Sequence, residues 1–421
     1  MLPLQPVRSR LGEALASLAP PVPLTRNEWG ILLLLGAAAF SQGWSANVFT
    51  HTLAYTRDTF GLSDQGIADA EVIVRGTSLL ALALAWWADR HGRRGPLLVA
   101  FAILPLANLA TAFAPNFAAF TGLQGVARIG TIALGSLGLL MVAEEINPAA
   151  RGYASGFFAL GLSLGTGFGL IITTLAQRSD EAWRGLFGVA ALPLLLLPLL
   201  IVRLRESRAF RRGAHGALFA ALRGGLGRRF WPMAGLSFTV AAFTGPAAAF
   251  INPRLVDDLG WAQGGATLLL VLASTPAVPL GLLAGGRAAD LIGRRPTEAV
   301  TMVIGVAGGV LAFFTEAGWA MGLGIFLSIL GSSAFAAAFT AQRAELFPTG
   351  VRATAGAWLV NAGILGGLMG FLAGRFVIGA WGVPVTIAGL GGLLLASSAL
   401  LLLLPETRGA DLLASAAAPA P

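Results

Sequence analysis

The sequence predicts an all-α membrane protein of twelve transmembrane helices, arranged as two pseudo-symmetric six-helix bundles. Three observations carry this expectation. Hydrophobic residues make up 56% of the chain against only 11% charged, with a mean hydropathy of +0.77. A soluble domain carries about a quarter charged residues, so lipid must supply part of this chain's solvent. Apolar runs long enough to span a bilayer occur twelve times, and charged motifs recur about 200 positions apart.

Each span needs about 20 mostly apolar residues to cross the hydrocarbon. The first run, 29–50, opens after Arg26 and Glu28; the second, 66–88, carries Arg75 and closes at Asp89. The third, 96–114, is parted from the fourth, 117–142, only by a turn at Pro115-Asn116, and the fourth carries Arg128. The fifth, 153–175, holds Gly161, Gly165, Gly167 and Gly169, a surface for close helix packing. The sixth, 185–202, includes the unbroken apolar run Leu194–Leu200. The remaining six are 230–252, 263–285, 297–314, 318–342, 353–377 and 383–404. Barrel strands would alternate apolar and polar residues over about 10 positions, and these runs do not alternate.

Arginine sets the orientation. Every one of the 28 basic residues is Arg. With the N-terminus inside, 21 fall in cytoplasmic segments and 5 outside, which by the positive-inside rule places both termini in the cytoplasm of a plasma (inner) membrane. The expected organisation is a cytoplasmic tail 1–28, a bundle 29–202, an Arg- and Gly-rich linker 203–229, a second bundle 230–405 and a tail 406–421. The net charge of +8 lies between apolar runs, so anionic lipid headgroups, not nucleic acid, are the expected partner. There is no Cys and only three scattered His, so no metal site or cofactor is expected.

The repeat is carried by three motif pairs. Asp89 lies in Ala85-Trp-Trp-Ala-Asp-Arg-His-Gly-Arg-Arg94 and Asp290 in Gly286-Arg-Ala-Ala-Asp-Leu-Ile-Gly-Arg-Arg295, 201 positions on. Glu145-Ile-Asn-Pro-Ala-Ala-Arg151 is echoed by Glu345-Leu-Phe-Pro-Thr-Gly-Val-Arg352, with the acids 200 apart and the arginines 201. Arg205-Glu-Ser-Arg208 is echoed by Pro405-Glu-Thr-Arg408, with the acids 200 apart. Shared offsets of this kind mark an internal duplication.

On these residues the chain resembles the major facilitator superfamily, within its branch of sugar and organic-acid metabolite transporters. The loop motif from Ala85 to Arg94 matches with Ala for the usual leading Gly, and its second copy has Leu291 where an Arg is usual. The resemblance implies a cytoplasmic gate built from Asp89, Arg90, Gly92, Arg93, Arg94, Glu145, Arg151, Glu206 and Arg208 in the first half. Their partners in the second half are Asp290, Gly293, Arg294, Arg295, Glu345, Arg352, Glu406 and Arg408. Each exposed pair is worth only about 0–1 kcal/mol, so the lattice acts collectively to bias a rocking equilibrium between the halves.

Charges inside spans are costly and are functional candidates by default. Arg128 and Arg75 fall near the midplane of their spans, and Gln42 and Ser45 share a face of the first, beside Trp44 and Asn47. The resemblance implies that spans one, four, seven and ten line the cavity, which brings Gln42, Ser45 and Arg128 together; with Arg75 of span two, Trp44 and Asn47 of span one, Thr239 of span seven and Asn361 of span eleven they are the substrate-binding candidates. Asp69 and Glu71 are the candidate proton carriers; each is alternatively an ion-pair partner of Arg128 or Arg75. Organic-acid members carry Asp-Gly-x-Asp where this chain has Gln42-Gly43-Trp44-Ser45, so both acids are missing.

The implied activity is alternating-access transport of a small metabolite, an organic anion or a sugar or polyol, with protons as the candidate coupling ion. The alternative is export of hydrophobic or drug-like compounds. A membrane enzyme would need a nucleophile, base or metal at membrane depth, and the charged residues there are arginines and the acids beside them. A monomer is expected.

Overall fold

The computed structural model describes residues 19–61, 73–173, 182–210 and 218–409, and it is helical along twelve successive segments. In chain order they are α1 Arg26–Phe60, α2 Ala81–His91, entered through a 3-10 turn Thr77–Leu80, α3 Arg94–Ala112, α4 Phe117–Glu145 and α5 Arg151–Thr173. Then follow α6 Trp183–Arg203, α7 Gly224–Pro253, α8 Gln263–Ile292, α9 Arg294–Phe314, α10 Gly318–Leu346, α11 Arg352–Ile378 and α12 Ala380–Leu403. Among the described residues, nine of these helices are long and apolar enough to cross a membrane. The protein is a multi-pass membrane protein.

Local sequence explains where helices begin and end. Thr25 and Glu28 form a capping box at α1: the Thr25 hydroxyl accepts from the Glu28 N–H at 3.3 Å, and the Thr25 N–H donates to the Glu28 carboxylate at 2.8 Å. Asn116 caps α4 by accepting from the Ala119 N–H at 2.9 Å. Gly382, at φ +78°, is a non-helical kink in the first turn of α12, just past the end of α11. α6 is interrupted by a 3-10 stretch, Leu192–Leu196, that opens at Pro193.

Two main cores result. One gathers Leu32, Leu35, Phe101, Leu104, Leu134, Leu137 and Phe158 from the first half of the chain. The other gathers Phe230, Met233, Phe243, Met302, Phe313, Phe335 and Phe347 from the second. Lipid gives apolar side chains no reason to prefer protein, so close backbone contact supplies much of the cohesion. The glycines of α5 do this against α1: a side chain at Gly161, Gly165 or Gly169 would run into the backbone of Gly36, Phe40 or Trp44. Gly167, the fourth of the set, faces open space.

The two halves meet where α5 crosses α8. A Cβ on Gly152 would collide with the Gly286 carbonyl, one on Gly286 with the Gly152 carbonyl, and one on Gly156 with the Leu282 carbonyl. The crossing is made by main chain against main chain. α2 meets α11 at the pseudo-symmetric place, where Ala85 and Ala88 on one side and Ala353 and Ala357 on the other are fully or almost fully buried.

Candidate functional site

The charged motifs converge at the arginine-rich end of the bundle, where they tie the two halves together. Asp89, at the end of α2, accepts from the N–H groups of Ala353 at 3.1 Å and Thr354 at 2.8 Å, and from the Thr354 hydroxyl at 2.7 Å. Its counterpart Asp290, at the end of α8, accepts from the N–H groups of Gly152 and Tyr153, both at 2.9 Å. Each aspartate thus caps the opening turn of a helix in the other half, where the helix dipole favours an anion.

A second carboxylate in each half completes the lattice. Glu144 meets Arg93 of its own half at 3.4 Å and Arg352 of the other at 2.6 Å. Glu345 meets Arg294 of its own half at 2.9 Å and Arg151 of the other at 3.0 Å. Arg93 also reaches Asp89 at 3.3 Å, and Arg294 reaches Asp290 at 2.5 Å. Ser207 donates to Glu144 at 2.5 Å and Thr407 to Glu345 at 2.6 Å, so the residue after each of Glu206 and Glu406 completes the same cluster. These side chains are buried. The expectation of exposed, individually weak pairs is therefore corrected: removing one partner from a buried pair costs about 3–5 kcal/mol, because it strands the other charge.

The register of one motif is corrected as well. Matching Glu145 to Glu345 sets the acids 200 apart, whereas the structural counterpart of Glu345 is Glu144, 201 positions before it. That offset is the one shared by Asp89 with Asp290 and by Arg151 with Arg352, which is the signal that singles Glu144 out. Glu145 instead pairs at 3.4 Å with Arg208, which is 63% exposed. Arg90 and Arg408 are exposed too, Arg90 lying over the Trp86 ring at 4.3 Å.

Among the described residues Glu206 and Glu406 pair with no distant arginine side chain; they cap helices. Glu206 accepts from the Arg93 N–H at 2.6 Å and the Arg94 N–H at 3.3 Å, at the start of α3. Glu406 does the same for Arg294 at 2.8 Å and Arg295 at 3.1 Å, at the start of α9. Burial pushes the Glu406 carboxyl up, but the four N–H groups of Arg294, Arg295, Arg408 and Thr407 outweigh it and hold the group below its ordinary range. Gly92 and Gly293, at φ +109° and +111°, make room: a Cβ on either would run into the glutamate carboxylate. Arg94 clamps α3 to α6 through the carbonyls of Leu204 at 2.8 Å and Ile201 at 2.7 Å.

The second half carries one acid the first lacks. Glu298 is fully buried on α9, facing Gln342 of α10, whose amide nitrogen, turned toward it, donates at 3.1 and 3.3 Å. The equivalent positions of the first half are Leu97 and Met141. A buried acid outside the repeat carries no motif, so sequence reading passes over it.

The membrane-depth candidates separate into distinct places. Gln42 is buried between α1 and α4, donating to the Thr131 carbonyl at 3.0 Å, one turn from Arg128. Ser45 donates to the Ala190 carbonyl at 3.4 Å, and Trp44 is buried edge-on against Phe168. Arg128 is partly buried and shares a helix face of α4 with Ile132, Ser136 and Leu139. Arg75 lies elsewhere: with Ser78, Trp231, Trp358, Asn361 and Leu365 it lines an apolar groove of about 630 Å³ between α2, α7 and α11. Ser78 donates to Asn361 at 3.0 Å across that groove, joining the halves. Thr239 meets Ser397 of α12 at 2.8 Å, inside the second half. Asn47 is helical, with its side chain outside the described residues, as are Asp69 and Glu71 entirely.

A separate cavity of about 300 Å³ opens in the second half. Its polar lining is all hydroxyl: Thr244 of α7, Ser274 of α8, and Ser328, Ser332 and Ser333 of α10. Among the described residues no group of His, Cys, Asp and Glu is arranged to hold a metal.

In sequence and in fold the chain is similar to known proteins. The family model described as Major Facilitator Superfamily matches residues 33–247 and 230–421. The chain is 26% identical to a probable 4-methylmuconolactone transporter of Cupriavidus pinatubonensis, over 82% of this chain and 84% of that one. It is 27% identical to a gallate transporter of Pseudomonas putida, over 88% and 90%. In fold it is similar to the proton:xylose symporter XylE bound to 6-bromo-6-deoxy-D-glucose, with TM-score 0.74 and 16% identity over 92% of this chain and 98% of that one. It is also similar to the transporter FucP in the outward conformation, with TM-score 0.74 and 13% identity over 90% and 99%.

Proposed function

The chain belongs to the major facilitator superfamily, a transporter family and not an enzyme family, and from that premise we propose that it carries a small organic acid across the plasma (inner) membrane by alternating access. Both termini lie in the cytoplasm, and protons are the coupling ion. The observation that carries the reading is the doubled lattice at the arginine-rich end, in which Glu144–Arg352 and Arg151–Glu345 cross between the halves. In this reading that end is the cytoplasmic gate, shut here. Breaking the crossing pairs lets the halves rock about the α5–α8 contact, so the substrate faces each side in turn.

An organic acid is favoured over a sugar by two supports. The relatives that match most of the chain are named for 4-methylmuconolactone and gallate, and a third, at 27% identity over 77% of this chain, for 3-(3-hydroxy-phenyl)propionate. Arg128, a permanently charged donor fork on α4, supplies the matching cation. The hydroxyl-lined cavity adds partners for phenolic or hydroxyl groups. Export of hydrophobic compounds is the second reading, favoured by the groove that Trp231, Trp358 and Leu365 line between α2 and α11.

Uptake into proteoliposomes of carboxylates, sugars and cationic dyes, each with and without a pH gradient, separates the readings. Carboxylate uptake driven by an inward proton gradient and lost in Arg128→Gln is the expected result. Dye transport indifferent to Arg128→Gln, without carboxylate uptake, would overturn it.

A further inference from the structure

Just inside the lattice, between α4, α10 and α11, lies a small cavity of about 10 Å³, lined by Ser136, Leu140, Thr340, Arg343, Arg352 and Gly356. That is room for about one water-sized group. Two guanidinium groups share it. Arg352 spends its Nε on the Phe347 carbonyl at 2.8 Å and its Nη1 on Glu144 at 2.6 Å, but its buried Nη2 has no hydrogen-bond partner among the described residues. Arg343 makes no ion pair among the described residues. Glu144 balances Arg352, so the cavity holds one positive charge in excess. A cation withdrawn from water without a counter-charge is costly, and the donors left over, the Arg343 guanidinium and the Nη2 of Arg352 with the Thr340 hydroxyl on the same wall, are of the kind that hold a carboxylate.

We propose that Arg343 and Arg352 form an anion site on the cytoplasmic side of the transport path, where the carboxylate of the substrate competes with Glu144 for Arg352 and so opens the gate. The proposal rests on the organic-acid reading above. Ser136 lies two turns from Arg128 on the same face of α4, about 12 Å at 1.5 Å per residue, so an anion leaving Arg128 meets Arg343 next. With the gate shut the cavity is too small for a carboxylate. Binding therefore requires the Arg352–Glu144 contact to lengthen, and a ligand that binds only the opened form shifts the equilibrium toward it.

The test uses nitroxide labels on Arg90→Cys and Leu291→Cys, exposed residues at equivalent positions in the last turns of α2 and α8 of a chain that has no cysteine of its own. The distance between them is measured in the full-length protein against formate, acetate and benzoate, with formamide, acetamide and benzamide as neutral controls. Carboxylates, not amides, are expected to lengthen it. Arg343→Gln is expected to raise the half-effective concentration of benzoate at least tenfold, and Arg343→Lys to raise it less. A wild-type protein indifferent to all three carboxylates, or an Arg343→Gln variant that responds as wild type does, would overturn the site. If carboxylates open the gate through Arg343 while liposomes take up no organic acid, the anion site stands and the transport reading fails.

Discussion

Glu144→Gln tests the lattice most directly. The carboxylate lies between Arg93 at 3.4 Å and Arg352 at 2.6 Å, with Ser207 donating at 2.5 Å. The amide keeps the shape and removes the charge, leaving buried Arg352 without its ion-pair partner while Arg93 keeps Asp89 at 3.3 Å. That costs about 3–5 kcal/mol when the site is dry. Opening the gate admits water to Arg352, so much of the cost falls on the shut state alone. A differential of about 3 kcal/mol shifts the equilibrium roughly 150-fold toward the open form. The labels at Arg90→Cys and Leu291→Cys read this as a longer distance without any ligand. Glu145→Gln, which touches only the exposed Arg208, is expected to leave the distribution unchanged. A shift with Glu145→Gln and none with Glu144→Gln would refute both the register and the role given to the buried pairs.

Three further outcomes follow from the geometry. Gly92→Ala forces a side chain onto a backbone at φ +109° and against Glu206; the backbone strain alone is about 1–3 kcal/mol, seen as a lower melting temperature in detergent, whereas Gly122→Ala, with open space around it, should not lower it. Gly156→Ala pushes a methyl into the Leu282 carbonyl and is expected to abolish uptake while the protein still purifies folded. The depressed Glu406 carboxyl stabilises the fold above its ordinary value of 4.5, and that contribution fades as pH falls through the lower folded value; Glu406→Gln should therefore flatten the acid limb of a melting-temperature profile and leave its alkaline limb alone.

The helices were legible because each apolar run is bounded by charges or turn residues, and a bilayer reads little else. The lattice was legible in outline, since Asp89, Arg93, Arg151 and their counterparts keep one offset. What sequence reading missed turns on single positions. Glu144 and Glu145 are neighbours of identical chemistry, told apart in the sequence by a single residue of offset and in the fold by the helical rotation of α4. Arg75 and Arg128 read alike by depth, yet one lines the α2–α11 groove and the other shares a face of α4 with the residues beside Arg343. Depth along a helix is set by counting, whereas the direction a side chain takes is set by the neighbour it packs on. Glu298 and Arg343 belong to no motif, so nothing in the sequence weighs them above other charges near a span end.

The crossing of α5 over α8 has a consequence for speed. Gly152, Gly156 and Gly286 leave no side chains to interlock there, so a tilt of one half on the other requires no rotamer to be re-chosen and no knob to leave its hole. Friction at that point is the sliding of smooth main chain, and the slow step of the cycle is displaced to the charged contacts at the rim. A bearing of this kind tolerates wear poorly: a single added methyl roughens it, which makes these glycines the first place to look when a folded variant binds its cargo but does not turn over.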